Sequence, residues 1–236
     1  MSGILEHGPE LDIYLVRHGQ STANAEKVMQ GWADYPLSEE GILQARIAGR
    51  YLAATGVPLK AAYTSPLSRA RRTAELIAGR FIPPARVEIV DELKEIEIGT
   101  LTDMPISEAR TEYPDFFSAR KSELDGFERF GGEKLEHFTQ RIEDGLIKAF
   151  KRHVDGDSIV ITAHGGSAIM IFRLLFGIDP SRRILKPHNC FLAKIERRFV
   201  SGQYYCQLSY FLSPSQQQLM LEGIGYTRGL AEEEES

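Results

Sequence analysis

Cysteine is scarce. Only Cys190 and Cys206 occur in 236 residues, too few for the disulfide framework of a small secreted domain. They flank a hairpin candidate and could face one another, although two reduced thiols in an intracellular protein are the expectation. A basic excess is absent too. The formal net charge is -5, which argues against a general nucleic-acid surface. No long apolar run is present. The most apolar stretch, residues 168–178, is too short to span a bilayer and contains Arg173. Met1 to Glu10 is polar and lacks a basic-then-apolar signal. No histidine pair brackets an acid in a His-Glu-x-x-His pattern, so no metal is expected. There is no internal repeat and no long Pro/Gly/Ser linker. A soluble, cytoplasmic, one-domain protein that stays off membranes and nucleic acids is expected.

What is present is an alternation of short apolar runs and amphipathic segments. Leu11 to Val16, Lys60 to Thr64, Val87 to Val90 and Ser158 to Ala163 read as strands. Between them, Leu43, Ile47, Ala48, Tyr51 and Leu52 form one helical stripe, and Leu67, Ala70, Ala74 and Ile77 another. Ser65-Pro66 reads as N-cap and first turn of that second helix. Leu135, Phe138, Ile142, Leu146 and Phe150 mark a long helix, and Phe191 to Ile195 with Tyr204 to Tyr210 a late hairpin. The pattern predicts a three-layer α/β sandwich: a mostly parallel central sheet with helices on both faces. The Gly99 to Gly132 stretch, rich in phenylalanine and interrupted by Pro105 and Pro114, reads as a small helical cap. Residues 1–10 form a loose leader, 11–210 the domain with its cap at about 99–132, and 211–236 a C-terminal extension with an acidic tail.

Two strands end alike. Arg17-His18-Gly19 follows the first, and His164-Gly165-Gly166 follows the strand at 158–163. In open α/β sheets, ligands bind outside the carboxyl ends of the strands. Arg69 lies in the first turns of the helix after Ser65-Pro66. If these strands are neighbours, two arginines, two histidines and helix N-termini converge on one edge. Guanidinium forks and free helix amides suit a phosphate. Each feature alone has a plainer explanation: a structural histidine, a solvated basic helix face, or an acidic surface run around Glu95. Together they favour a phosphate site.

Further residues support this. Arg17-His18-Gly19-Gln20-Ser21, then Asn24, then Gln30-Gly31-Trp32, is followed by Leu37-Ser38-Glu39-Glu40-Gly41 with Gln44-Ala45. Tyr63-Thr64-Ser65-Pro66-Leu67-Ser68-Arg69-Ala70 precedes Thr73-Ala74. Leu93-Lys94-Glu95 stands four residues before Gly99. Gly131-Gly132-Glu133 and Arg141 come next, then Ala163-His164-Gly165-Gly166. In this order and spacing, over about residues 11–196, the chain resembles the histidine phosphatase superfamily, which includes cofactor-dependent phosphoglycerate mutases and many phosphomonoesterases. The resemblance implies that His18 is a nucleophile forming phosphohistidine. It implies that Arg17, Arg69 and His164 hold phosphoryl oxygens, and that Glu95 serves the leaving oxygen and then the attacking water. Asn24, Gln30, Gly31 and Gly165 would lie against the substrate. No cofactor and no metal is implied.

The phosphatase branch is the closer match. Glycolytic mutases of the family carry a longer cap with an adjacent arginine pair, and usually a tyrosine three residues after the catalytic glutamate. Here that position is Ile98, and the cap bases are Arg110, Arg120, Lys121 and Arg129. The expectation is a metal-independent phosphomonoesterase acting on a small phosphorylated metabolite, such as a sugar phosphate, a phosphoglycerate derivative, phosphoserine or a nucleotide-like monoester. The alternative is a cofactor-dependent phosphoglycerate mutase. A non-catalytic phospho-ligand binding module is disfavoured because His18, His164 and Glu95 are all present. Exposed faces of this fold often dimerise, so a homodimer stays open.

Overall fold

The computed structural model describes residues 8–119, 124–179 and 187–223. Its centre is a six-stranded sheet built from β1 (Leu11–Arg17), β2 (Leu59–Thr64), β3 (Arg86–Ile89), β4 (Asp157–Ala163), β5 (Leu192–Val200) and β6 (Gln203–Leu212), in the order β3-β2-β4-β1-β5-β6. The first four strands run parallel, and β5 and β6 add an antiparallel hairpin at one edge. Its two-residue turn, Ser201-Gly202, has positive φ at both positions, which matches the twist of the flanking strands.

The helices are α1 (Thr22–Ala25), α2 (Glu39–Ala54), α3 (Ser68–Ala78), α4 (Ile106–Glu112), α5 (Pro114–Ala119), α6 (Leu135–Phe150), α7 (Gly165–Phe176) and α8 (Pro214–Gly223). Alternation along β1 assigns its two faces. Leu11, Ile13 and Leu15 enter one core with Phe138, Ile142 and Leu146 of α6 and Ala168 and Ile171 of α7. Tyr14 and Val16 enter the other with Ala45, Ala48 and Leu52 of α2 and Ala74 and Ile77 of α3. Central strands are thus buried on both faces, as a parallel sheet requires. The three-layer reading of the sequence is what the fold displays.

Two local details differ from the sequence reading. Helix α3 starts at Ser68 with Leu67 as N-cap, so Ser65 is not its cap. Cys190 and Cys206 are both free and lie in cores on opposite faces of the sheet, so they do not face one another. Past residue 210, β6 continues to Leu212, and α8 packs on α2 with Gln217 buried. Gln217 Nε2 donates to the Cys190 carbonyl at 2.9 Å. Residues 1–7 and 224–236, which include the acidic tail, lie outside the described residues, as do cap residues Arg120 and Lys121. Among the described residues no helix is long and apolar enough to cross a membrane.

The cap joins the first core. Phe116 meets Phe130 and Phe127 edge-on at centroid distances of 4.9 and 5.5 Å, and all three are buried. Its two ends meet: the Glu133 amide donates to the Glu97 carbonyl at 2.9 Å, and a Cβ on Gly99 would sit 1.9 Å from the Phe130 oxygen. On the opposite face, the loop after β1 lies directly on the start of α2. A Cβ on Gly41 would fall 2.0 Å from the Gln20 oxygen, and one on Gly19 2.3 Å from the Gly41 oxygen. Backbone cannot retreat as a flexible side chain can. Gly41→Ala is expected to cost about 1–3 kcal/mol, as overpacking does, and to displace the loop that carries His18. Urea unfolding measures the first effect; an unchanged midpoint would contradict so close an approach.

Candidate active site

Strand register assembles the site. In the parallel β1–β4 pair, Arg17 stands opposite Ala163, so the residues that follow, His18 and His164, are neighbours. The ladder extends one step further, with the His18 amide donating to the Ala163 carbonyl at 2.8 Å. The imidazole centroids are 5.1 Å apart. On the other flank of β4, Thr64 stands opposite Thr162, which carries Ser65 alongside; its Oγ lies 2.8 Å from His164 Nε2. From β1 the chain crosses by α2 towards β2, and from β4 by α7 towards β5, over opposite faces. The site therefore lies at a topological switch point.

His18 is 2 % exposed. Its Nδ1 is 2.7 Å from the Gly19 carbonyl oxygen. A carbonyl can only accept, so Nδ1 carries the proton and Nε2 keeps its lone pair. Burial, then Arg69 and Arg17, hold its pKa well below the usual 6.5, against the Gly19 hydrogen bond. His164 is fully buried, and its pKa is likewise well below 6.5, first from burial and then from Arg69, His18, Arg17 and Arg141.

Two guanidiniums flank the rings. Arg69 donates to the carbonyls of Ala33 at 2.7 Å and Gly31 at 2.9 Å. Burial lowers its pKa to about 10, which leaves it cationic at neutral pH. Arg17 donates to the Pro187 carbonyl at 2.7 Å. The Nε–H groups of both arginines are buried with no acceptor among the described residues. Buried donors are normally satisfied, so this concentration of positive charge fits an oxyanion.

Glu95 stands across from Arg17. A Cβ on Gly165 would lie 3.6 Å from Glu95 Oε2 and 3.7 Å from Arg17 Cζ. The carboxylate accepts from the amides of Gly166 at 2.9 Å, Ser167 at 3.1 Å and Ile96 at 2.9 Å. These α7 amides were expected to be open to phosphate; Glu95 occupies them instead. A Cβ on Gly166 would approach Glu95 Oε1 to 2.4 Å, so a side chain there would have to displace the carboxylate. The favourable helix N-terminus thus anchors an acid chain rather than a ligand.

The other candidates are close by. Asn24 Oδ1 accepts from the Ser21 amide at 3.2 Å and from Asn189 Nδ2 at 3.0 Å, and Asn189 also donates to the His18 carbonyl at 3.1 Å. Gln30 Oε1 accepts from Ser21 Oγ at 2.8 Å. Gly31 adopts φ +50° and packs on Ile98, which a Cβ would strike at 2.7 Å. Ile98 is itself buried. His188 is exposed. Sequence reasoning passed over the roles of four residues. Ser65 partners His164. Thr73 Oγ1 ties the Gly19 amide to the Arg69 carbonyl at 3.0 and 2.7 Å. Asn189 ties two loops. The Trp32 indole donates to the Glu95 carbonyl at 2.6 Å. Among the described residues no group of three or more His, Cys, Asp or Glu side chains could hold a metal ion.

Residues 13–203 match the histidine phosphatase superfamily, branch 1. The chain belongs to the histidine phosphatase superfamily. It is 32% identical over 184 residues to the uncharacterized phosphatase PhoE of Bacillus subtilis, covering 78% of this chain and 87% of that one. It is 33% identical over 174 residues to the 2,3-bisphosphoglycerate-dependent phosphoglycerate mutase of a Methylobacterium species, covering 70% and 81%. The solved structure of Bacillus stearothermophilus YhfR superposes with a TM-score of 0.73 at 26% identity, covering 86% and 98%. Relatives of this superfamily member thus include both phosphatases and mutases.

The buried imidazoles make stability depend on pH. Below the ordinary 6.5 the unfolded chain binds protons that the folded rings refuse. Stability is full above pH 6.5 and falls as pH drops below it, down to the depressed folded values. Each ring adds a slope of about 1.4 kcal/mol per pH unit within that window. Urea unfolding at about pH 7 and about pH 5.5 is expected to show this loss, and His164→Gln to flatten it. Equal stability of the wild type at both pH values would contradict burial of neutral rings.

Proposed function

We propose that this histidine phosphatase hydrolyses small phosphate monoesters through a phosphohistidine on His18, without a metal. The observation that carries the proposal is the pair of guanidiniums, Arg69 buried and Arg17 half-buried, whose buried Nε–H groups have no acceptor among the described residues, set beside an imidazole whose Nε2 is free. In the first step His18 Nε2 attacks phosphorus in line with the leaving oxygen. The N–P bond forms, the P–O bond breaks, and Glu95 supplies the proton that the alcohol takes away. Arg17, Arg69 and His164 hold the equatorial oxygens, where charge accumulates. In the second step Glu95 takes a proton from water, which attacks phosphorus and releases phosphate and His18.

Hydrolysis is favoured over transfer by what the other nearby cations do. Arg141 is engaged by Glu133 and three carbonyls, and Lys94 pairs with Asp91 at 2.9 Å. In the cap, Arg110 lies over Phe117 at 5.2 Å, and Arg129 over Phe130 at 4.9 Å. A bisphosphorylated intermediate needs a second set of cations, and these four, among the described residues, each already have a partner.

His18→Ala is expected to lose about three orders of magnitude of activity or more, as removal of a covalent catalyst does. Labelled substrate quenched without acid should leave label on His18, and EDTA should not abolish turnover. Turnover by His18→Ala near the wild-type rate would sink the proposal. Transfer is tested separately, with 3-phosphoglycerate and a trace of 2,3-bisphosphoglycerate. Fast formation of 2-phosphoglycerate with negligible free phosphate would establish a mutase. Phosphate release from some monoester with little isomerisation is the expected result.

A further inference from the structure

We infer that Arg141, locked by Glu133, is the positioning residue that sets where the Glu95 carboxyl stands; the inference rests on the proposed role of Glu95. After β3 the chain passes through a single 3₁₀ turn, Asp91–Leu93, and continues as irregular backbone to Gly99. The acid therefore rides on a segment that lacks a helix or strand ladder. Its carbonyls at 92, 94 and 95 find one shared partner. Arg141 Nη1 donates to Glu92 O at 2.7 Å and Lys94 O at 3.1 Å, and Nη2 donates to Glu95 O at 3.2 Å. The remaining donors, Nε and Nη2, bind Glu133 Oε1 at 2.9 Å and Oε2 at 2.7 Å. All five N–H groups of the guanidinium are thereby used.

The geometry is specific to arginine. The Glu133 carboxylate takes one edge of the fork and fixes the guanidinium plane, and the remaining N–H groups, in the same plane, donate to three carbonyls. Lysine has three donors on one point and cannot face both ways. Arg141 comes from the middle of α6, whose buried face is packed in the core, and its side chain is only 18% exposed. The clamp thus transmits the rigidity of a core helix to the acid loop. Trp32 completes it. Its Nε1 shares the Glu95 carbonyl, and its ring lies 5.8 Å from Arg141 Cζ and 4.5 Å from Lys94 Nζ.

Arg141 spends its hydrogen bonds on Glu133 and three carbonyls, none of them in the His18, His164, Arg17 and Arg69 cluster. Its charge does act on His164, and Arg141→Lys keeps that charge, so this variant should mimic misplacement of an acid rather than loss of phosphate binding. Arg141→Lys and Glu133→Gln are each tested with β-glycerophosphate, a poor leaving group, and p-nitrophenyl phosphate, a good one. The pre-steady-state phosphorylation of His18 by β-glycerophosphate is expected to slow by ~10- to 100-fold, a part of the ~10²–10⁴ available from general acid catalysis. The burst with p-nitrophenyl phosphate should change by less than about threefold, and vanadate inhibition should hold. Trp32 is the only tryptophan, so acrylamide quenching reports the same loop without turnover, and it should rise in both variants. Equal slowing of both substrates, or unaltered rates with unaltered quenching, overturns the clamp. Should wild-type protein carry no label on His18, the phosphatase proposal fails by itself. The clamp is then decided by quenching alone, increased for it and unchanged against it.

Discussion

The hydrogen-bonded register of β1 against β4 is the constraint from which the candidate site follows. One residue of slip would turn every side chain of β1 to the opposite face. It would exchange the Leu11, Ile13 and Leu15 stripe for Tyr14 and Val16. The two cores therefore fix the register, and the register sets His18 beside His164. The pairing of β2 with β4 then brings Ser65 to His164. Packing energy spread over two apolar layers is in this way converted into the placement of a few polar atoms at one sheet edge.

Electrostatics at that edge run against ordinary folding preference. The Arg69 guanidinium and two imidazoles are buried beside a half-buried Arg17, and the imidazoles answer by staying neutral. Buried cations that keep donors without acceptors weaken the free protein, and a bound oxyanion would repay that cost. Glu95 is kept from collapsing onto the arginines by three backbone amides, two of them from the first turn of α7. Its main chain is held from behind by Arg141 and Trp32. Glu95 is thus gripped at both ends while the Nε–H groups of Arg17 and Arg69 are left without acceptors among the described residues.

Much of this was legible in the sequence because it is written in local patterns. Strand runs that end in Arg17-His18 and Ala163-His164 mark the sheet edge, and the α2, α3 and α6 stripes mark the layers. What stayed hidden depended on contacts distant along the chain. Ser65 has the look of a helix cap, yet its Oγ joins the Leu67 amide and His164, and the helix starts two residues later than that look suggests, at Ser68 with Leu67 as N-cap. Asn189 gains meaning only once β5 is known to lie antiparallel to β1. The use of the α7 amides by Glu95 rather than by phosphate could not be read from spacing. For α8, a signal was there to find: Ser213 before Pro214 is a start pattern, and Ser213 Oγ accepts from the Gln216 amide at 3.3 Å.

The central claim is that His18 sits neutral in the folded protein, with its proton on Nδ1 and its Nε2 lone pair free. Nitrogen-15 NMR of the ligand-free protein with labelled histidine reads both properties directly. The account predicts a His18 ring protonated at Nδ1 alone, and still neutral at about pH 5.5, below the ordinary histidine range. A proton on Nε2 alone, or an imidazolium at neutral pH, would contradict it.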